Sequence, residues 1–282
     1  MIEIDSMSFS YTKATFIEGM SFSVDRGEIF GFLGPSGAGK STLQKILIGL
    51  LSGYGGSVKV FGEEVSRHGK DFYQRIGIDF EVPTLYEKLT ARQNLEFFSS
   101  LYNGDTRNVS VLLESVDLLR DADKKVSDYS KGMKSRLGLL RTLVNDPEIL
   151  FLDEPTSGLD PANARLMKDL ILAEKAKGKT VILTTHNMQD AQELCDRVAF
   201  IVNGHIAALD TPHALIMRRG AAKLRYTWLH NGAEQSGECA LTDTGKDERL
   251  KELINDNTLL TAHSQEPNLG DIFMEVTGRS LQ

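Results

Sequence analysis

Cysteine, tryptophan and long apolar runs are what this 282-residue chain has least of, with two cysteines and one tryptophan in all. Cys195 and Cys239 stand at no spacing that builds a zinc site, and two thiols in a chain of this size fit a reducing, cytosolic setting better than a disulfide framework. No stretch approaches the roughly twenty apolar residues that a membrane helix needs. The opening Met1-Ile2-Glu3-Ile4-Asp5 lacks the basic start and apolar centre of a signal peptide, so a role at a membrane would require a partner to hold the chain there. Positive charge is also short: 32 lysines and arginines stand against 39 acidic residues, for a net charge of -7. That balance removes the electrostatic case for binding nucleic acid or an anionic membrane surface with the chain as a whole. What is present is 41% hydrophobic residues and no low-complexity tract, enough for one large α/β domain with an appendage or for two small domains.

The first sixty residues alternate apolar and polar side chains, as in Ile2, Ile4, Met7 and Phe9, and later in Val58 and Val60, which predicts short antiparallel strands with one buried face. A mostly helical stretch follows, with Leu95, Phe98 and Leu101 at helical spacing. Beyond it, a helix over 130–144, a strand over 149–152, a helix after Pro161 and a strand over 180–184 alternate as a parallel α/β sheet requires. Asn203-Gly204, between two apolar runs, suits the two positive φ values of a type I′ hairpin turn. Thr211-Pro212 starts a further helix. Near Arg219-Gly220 the texture changes, and the expected organisation is a main domain over 1–219, with a helical subdomain at about 84–145, and an accessory or dimerisation extension over 220–282. The extension is expected to hold a strand over 224–230 and helices over 246–255 and 268–276.

The apolar strand Ile29-Phe30-Gly31-Phe32-Leu33 runs into Gly34-Pro35-Ser36-Gly37-Ala38-Gly39-Lys40-Ser41-Thr42, the spelling of a phosphate-cradling loop. Glycines let successive backbone N–H groups turn inward around phosphates, and the helix that begins near Gly39 aims its positive end at the same anion. Lys40 is placed to reach the β- and γ-phosphates of ATP or GTP, and Ser41 the accompanying Mg²⁺. Further on, four apolar residues, Ile149 to Leu152, deliver Asp153 and Glu154 to the carboxyl end of a buried strand, where α/β sheets bind ligands. One carboxylate there can hold Mg²⁺ and the next can act as the base that orients attacking water, the division of labour that phosphoryl transfer needs. Alone, an acidic pair at a strand end is often only the start of a loop; beside a phosphate loop it reads as chemistry.

The order of the phosphate loop, Tyr129-Ser130-Lys131-Gly132-Met133-Lys134, Leu152-Asp153-Glu154-Pro155-Thr156-Ser157-Gly158-Leu159-Asp160 and His186 resembles an ATP-binding cassette (ABC) ATPase over about residues 1 to 215. The resemblance implies a P-loop NTPase core of α/β class, with a mixed parallel sheet, an N-terminal antiparallel β subdomain, an α-helical subdomain and here a small α+β extension. It also implies roles. Ser130, Lys131, Gly132, Met133 and Lys134 match the signature that binds the γ-phosphate of ATP held by the opposite subunit. Tyr11 matches the aromatic that stacks on adenine, His186 the switch histidine, and Asp160 the loop that couples two sites across a dimer. Lys131 and Lys134 fall in the first turn of a helix, where cations oppose the dipole by roughly 0.3 to 1 kcal/mol each, a placement that makes sense if an anion docks there.

Two positions depart from the family pattern: Glu81 stands where most members have glutamine, and Lys131 where the signature usually has glycine. Glu81 can still ligate Mg²⁺ or accept from water, although it brings negative charge towards the triphosphate. The signature Tyr-Ser-Lys-Gly-Met and the ending Asn268-Leu269-Gly270-Asp271-Ile272-Phe273 resemble ATPase subunits of bacterial exporters for drugs, antibiotics and lipids. Thr84-Leu85-Tyr86-Glu87-Lys88-Leu89-Thr90 resembles the group named for fluoroquinolone export. The resemblance implies a separate polytopic membrane subunit, a second ATPase subunit (itself or a paralogue), and a cytoplasmic place on the inner face of the membrane. Two alternatives stay open on the residues: a soluble ABC regulator or mechanoenzyme, and a slow-turnover module that dimerises on ATP.

Overall fold

The computed structural model describes residues 1–82, 84–219, 223–230, 232–265 and 267–278, and it divides into two compact units, 1–209 and 210–281. The break falls before the helix that starts at Pro212 rather than after it, because that helix packs on the last helix of the chain. Among the described residues no helix is long and apolar enough to cross a membrane.

In the first unit, strands β1 (Ile2–Phe9), β2 (Ile17–Val24), β4 (Gly55–Val60) and β5 (Glu63–Glu64) form an antiparallel sheet ordered β2-β1-β4-β5. The buried face of β1 switches from even to odd positions between Ile4 and Met7. Ile4 pairs with Phe22 and Met7 with Met20, so β1 takes one residue more than β2 over this interval, and Ser6 adopts a φ of 51°. The bulge returns Met7 and Phe9 to the core side.

The larger sheet is ordered β10-β9-β3-β8-β7-β6, from β3 (Ile29–Leu33), β6 (Ile76–Asp79), β7 (Ile149–Asp153), β8 (Thr180–Thr185), β9 (Arg197–Val202) and β10 (His205–Asp210). Strands β9, β3, β8, β7 and β6 run parallel, and every residue of β3 and β8 is buried, as continuous apolar strands covered on both faces require. Phe22 and Phe30 stack with centroids 5.4 Å apart, one of the contacts that join the two sheets in a single core. Helices α1 (Lys40–Leu47) and α2 (Lys70–Gln74) follow β3 and β5, and α6 (Pro161–Ala176) and α7 (Met188–Leu194) follow β7 and β8.

The helical region holds α3 (Ala91–Ser99), α4 (Val109–Glu114) and α5 (Lys131–Leu143). Thr90 and Gln93 close a capping box on α3, and Ser130 caps α5 by accepting from the Met133 N–H at 3.2 Å. Arg107, in the loop before α4, clamps Glu174 of α6: Nη1 and Nη2 reach its two carboxylate oxygens at 2.8 and 2.6 Å, and Nη2 also reaches Asp146 at 2.6 Å. Burial alone would raise the carboxyl of Glu174, whose side chain is 1% exposed, but Arg107 and Lys177 hold it below its ordinary value.

The second unit contains α8 (Pro212–Arg219), the strands β11 (Lys223–His230), β12 (Ala233–Ala240) and β13 (Leu259–Gln265), α9 (Glu248–Asn255) and α10 (Leu269–Thr277). Its antiparallel sheet is ordered β12-β11-β13, and Tyr226, Leu250 and Leu253 form a small core between sheet and α9. Of its strands only β11 was expected, together with the helices; β12 and β13 carry too few apolar residues to announce themselves.

Arg107→Ala leaves the buried Glu174 carboxylate with Lys177 as its remaining cation and is expected to destabilise the chain by about 3 kcal/mol at neutral pH. Carboxylates held below their unfolded pKa stabilise above that value and lose the contribution as pH falls. The gap in urea midpoint between the variant and the parent should therefore close below about pH 4. A gap independent of pH would remove the ion pairs from the account.

Candidate active site

The chain leaves β3 at Leu33, turns through Gly37 and Gly39 at φ values of 78° and 113°, and enters α1 at Lys40. Only glycine takes these conformations without strain. The Lys40 ammonium folds back over the loop and donates to the carbonyls of Gly34 at 2.6 Å and Pro35 at 3.1 Å. Burial lowers the Lys40 pKa, while Glu154, Asp153 and Glu81 oppose that shift, so three carboxylates already face this cation.

The β9–β10 turn buttresses the loop. Gly204 donates its N–H to the Ala38 carbonyl at 3.1 Å, with Asn203 and Gly204 at φ values of 50° and 77°. A Cβ on Gly204 would lie 1.8 Å from the Phe16 carbonyl oxygen, and one on Gly34 would lie 2.2 Å from that of Ile201. The turn was legible as Asn-Gly; its packing against the phosphate loop was not.

Parallel pairing aligns Asp153 with Thr184 and Leu33 with Thr185, so the three strand ends deliver the loop, the carboxylates and His186 to one edge. Asp153 accepts from the Ser41 hydroxyl at 3.3 Å through Oδ2, and from the Thr184 hydroxyl through Oδ1. Glu154 sits at a φ of 51°, a costly conformation for a non-glycine residue, and its N–H is tied to the Thr184 carbonyl at 2.9 Å. Its Oε1 lies 2.8 Å from His186 Nδ1, a bond that requires the proton on Nδ1, and its Oε2 accepts from Thr185 Oγ1 at 3.2 Å. Thr184 and Thr185 were not anticipated; as members of a uniformly buried strand they carry no signal apart from their neighbours.

A cavity of about 320 Å³ joins Phe16, Ser36, Lys40, Glu81, Glu154 and His186. A second, of about 480 Å³, shares Glu81, Asp153 and Glu154 and is also lined by Lys131 and Lys134. At the larger cavity, burial pushes the Asp79 carboxyl up to about 7 despite Arg141, whose Nη2 stands 3.7 Å away, and Asp153 adds to the rise.

Tyr11 is 58% exposed and its hydroxyl lies 2.9 Å from Thr42 Oγ1, while Phe16 rather than Tyr11 lines the phosphate-loop cavity. Ser130 and Met133 line neither cavity. Gly132 is seated on Asn163, where a Cβ would come within 2.7 Å of Nδ2. Lys134 is neutralised by Glu87 at 2.7 Å, so the cationic helix start read from the sequence narrows to Lys131, whose ammonium lies against Gly158. Asp160 caps α6, accepting from the Ala162 and Asn163 N–H groups at 3.1 Å each. One chain thus gathers loop, carboxylates and His186, and holds Ser130 outside that cluster.

A glycine loop over a helix start, a strand-end Asp-Glu pair, a strand-end histidine and a helical subdomain ending in a capped helix define an ATP-binding cassette. The sequence profile described as ABC transporter matches residues 17–157. The chain is 49% identical over its whole length to a fluoroquinolones export ATP-binding protein of Mycobacterium tuberculosis, covering 94% of it. It is also 35% identical to Nod factor export ATP-binding protein I of Rhizobium meliloti, covering all of this chain and 89% of that one. A solved ATP binding subunit of an ABC transporter superposes with a TM-score of 0.70 at 29% identity over 77% of this chain and 92% of that one. A dimeric ATP-binding cassette bound to ADP and Pi gives 0.65 at 25% identity over 75% and 98%. The chain belongs to the ABC transporter family and is an ATP-binding, ATP-hydrolysing subunit.

Gly204→Ala, outside the nucleotide-binding motifs, should displace the phosphate loop and weaken binding of a fluorescent ATP analogue at least about fivefold, from roughly 1 to 3 kcal/mol of backbone strain. Unchanged affinity would mean that the turn does not support the loop.

Proposed function

We propose that the chain powers a bacterial exporter of drugs, antibiotics or lipids, working as a head-to-tail pair on the inner face of the cell membrane against a separate polytopic subunit. The observation that carries the catalytic part is Glu154, held at both carboxylate oxygens and by its backbone beside the Lys40 loop. The names of the M. tuberculosis and R. meliloti relatives support export, and that of the M. tuberculosis relative supports drug-like cargo.

In this reading Lys40 exchanges the Gly34 and Pro35 carbonyls for the β- and γ-phosphates, and the N–H groups of Gly37 to Thr42 wrap the anion. Tyr11 stacks on the adenine. Ser41, Asp153 and Glu81 supply hard oxygens that suit Mg²⁺, which takes few protein ligands and keeps waters and phosphate oxygens. Among the described residues no group of three or more His, Cys, Asp or Glu could hold a metal by itself, so the donor set fits an ion that arrives with its triphosphate. When bound, the ion would neutralise charge on the phosphate oxygens. Glu154 accepts the proton of a water whose oxygen bonds the γ-phosphorus as the bridging P–O bond to ADP breaks, and His186 keeps that carboxylate aimed. Ser130, with Lys131, Gly132, Met133 and Lys134 around it, meets the γ-phosphate bound to the opposite subunit, and Asp160 links the two sites.

Glu154→Gln should retain ATP affinity, lose at least about a hundredfold in turnover, and accumulate as an ATP-bound dimer on size exclusion with light scattering. Undiminished hydrolysis would remove Glu154 from the base role. Glu81→Gln restores the family's usual residue and should leave turnover near the parent value; a collapse would show that the carboxylate itself is required. Purification from gently solubilised membranes should bring a stoichiometric polytopic protein, and its absence would favour a soluble ABC regulator.

A further inference from the structure

The hydrogen-bonded pair Glu154 and His186 stands on two loops, one leaving β7 and the other leaving β8 into α7. A buried carboxylate, Asp190 in the first turn of α7, bridges them. Its Oδ2 accepts from Thr156 Oγ1 at 2.7 Å and from Asn187 Nδ2 at 3.0 Å, and its Oδ1 lies 3.1 Å from the Lys168 ammonium on α6. These contacts close a ring. It runs from Glu154 Oε1 to His186 Nδ1, along the chain to Asn187, through Asp190 Oδ2 to Thr156, and back along Pro155 to Glu154.

An acidic residue three places after a helix cap ordinarily reaches back to the N–H of the cap itself. Here that N–H, of Asn187, is taken by Thr185 Oγ1 at 3.0 Å, and the Asp190 carboxylate serves the other loop instead. The backbone on that loop is strained. Glu154 holds a φ of 51°, a conformation that persists only where its surroundings over-determine it. Neither Asp190 nor Thr156 lines either cavity, so the ring holds the site from behind.

We infer that Asp190 is a positioning residue for hydrolysis: through Thr156 and Asn187 it fixes the two loops against each other and keeps Glu154 aimed at the attacking water. The inference rests on Glu154 as the base. Misplacing a reacting group by about 1 Å can cost about a hundredfold in rate. The Lys40 loop is no part of the ring, so the loss should fall on turnover and spare ATP binding.

Thr156→Val removes the hydroxyl at nearly constant shape and leaves Asp190 with Asn187 and Lys168. The full chain carrying it should bind a fluorescent ATP analogue within about twofold of the parent and keep its KM, yet turn over ATP at least about tenfold more slowly. Thr156→Ser keeps the hydroxyl and should restore the parent rate. Asp190→Ala leaves Lys168 with Glu193 as counter-ion and should show the same split, and its loss should not add to that of Thr156→Val, because both act through one ring. If Asp190→Ala does not fold, Thr156→Val and Thr156→Ser decide the matter alone. Parent turnover in Thr156→Val, an equal loss of binding and turnover, or losses that add would each overturn the positioning role. An inactive Glu154→Gln beside such a result would leave the base reading standing, whereas an active one would remove the base that Asp190 is inferred to aim.

Discussion

The register of three parallel strands is the constraint on which the site depends. With Leu33 opposite Thr185 and Asp153 opposite Thr184, the chain leaves β3, β7 and β8 at one level and must place Gly34, Glu154 and His186 side by side. A slip of one residue between β7 and β8 would turn the Asp153 carboxylate to the opposite face of the sheet, and one between β3 and β8 would move the loop away from it. The buried faces of β3 and β8 prevent that slip, because every residue in them would exchange a packed neighbour for an unsuited one. Core packing and catalytic geometry are therefore one requirement.

Much of this was legible in the residues. The glycine loop, the apolar strand before Asp153 and the Asn203-Gly204 turn are local signals, each written within a few consecutive positions, and the structure has the elements they predict. What escaped is written across the fold. Ile201 and Gly204 support the phosphate loop through backbone atoms, which leave no trace in residue type. Thr184 and Thr185 matter only because β8 lies between β3 and β7. The second unit begins before α8 because α8 packs on α10, a contact between segments some fifty residues apart that no local change of texture announces. Its strands β12 and β13 alternate weakly, and β-structure at an edge is set by its neighbours more than by propensity.

The proposed sharing of the site between two subunits rests on what a single chain leaves apart. Ser130 caps α5 and lines neither cavity, while Lys131 and Lys134 line one cavity together with Glu81, Asp153 and Glu154. Within one chain, Ser130 thus stays outside the cavities that gather the phosphate loop, Asp153 and Glu154. In the proposed head-to-tail pair, closure on ATP would turn binding energy into a change of distance between helical subdomains, the kind of motion that a coupled membrane protein can use.

The most direct measurement of this account mixes two dead variants. Lys40→Ala lacks a working phosphate loop and Ser130→Ala a working signature, so each alone should be inactive. In a mixed pair, the intact loop of one chain meets the intact signature of the other, and ATP turnover should reappear in the mixture at a substantial fraction of the parent rate. A mixture as inactive as its components, from chains that demonstrably form mixed dimers, would contradict the shared site.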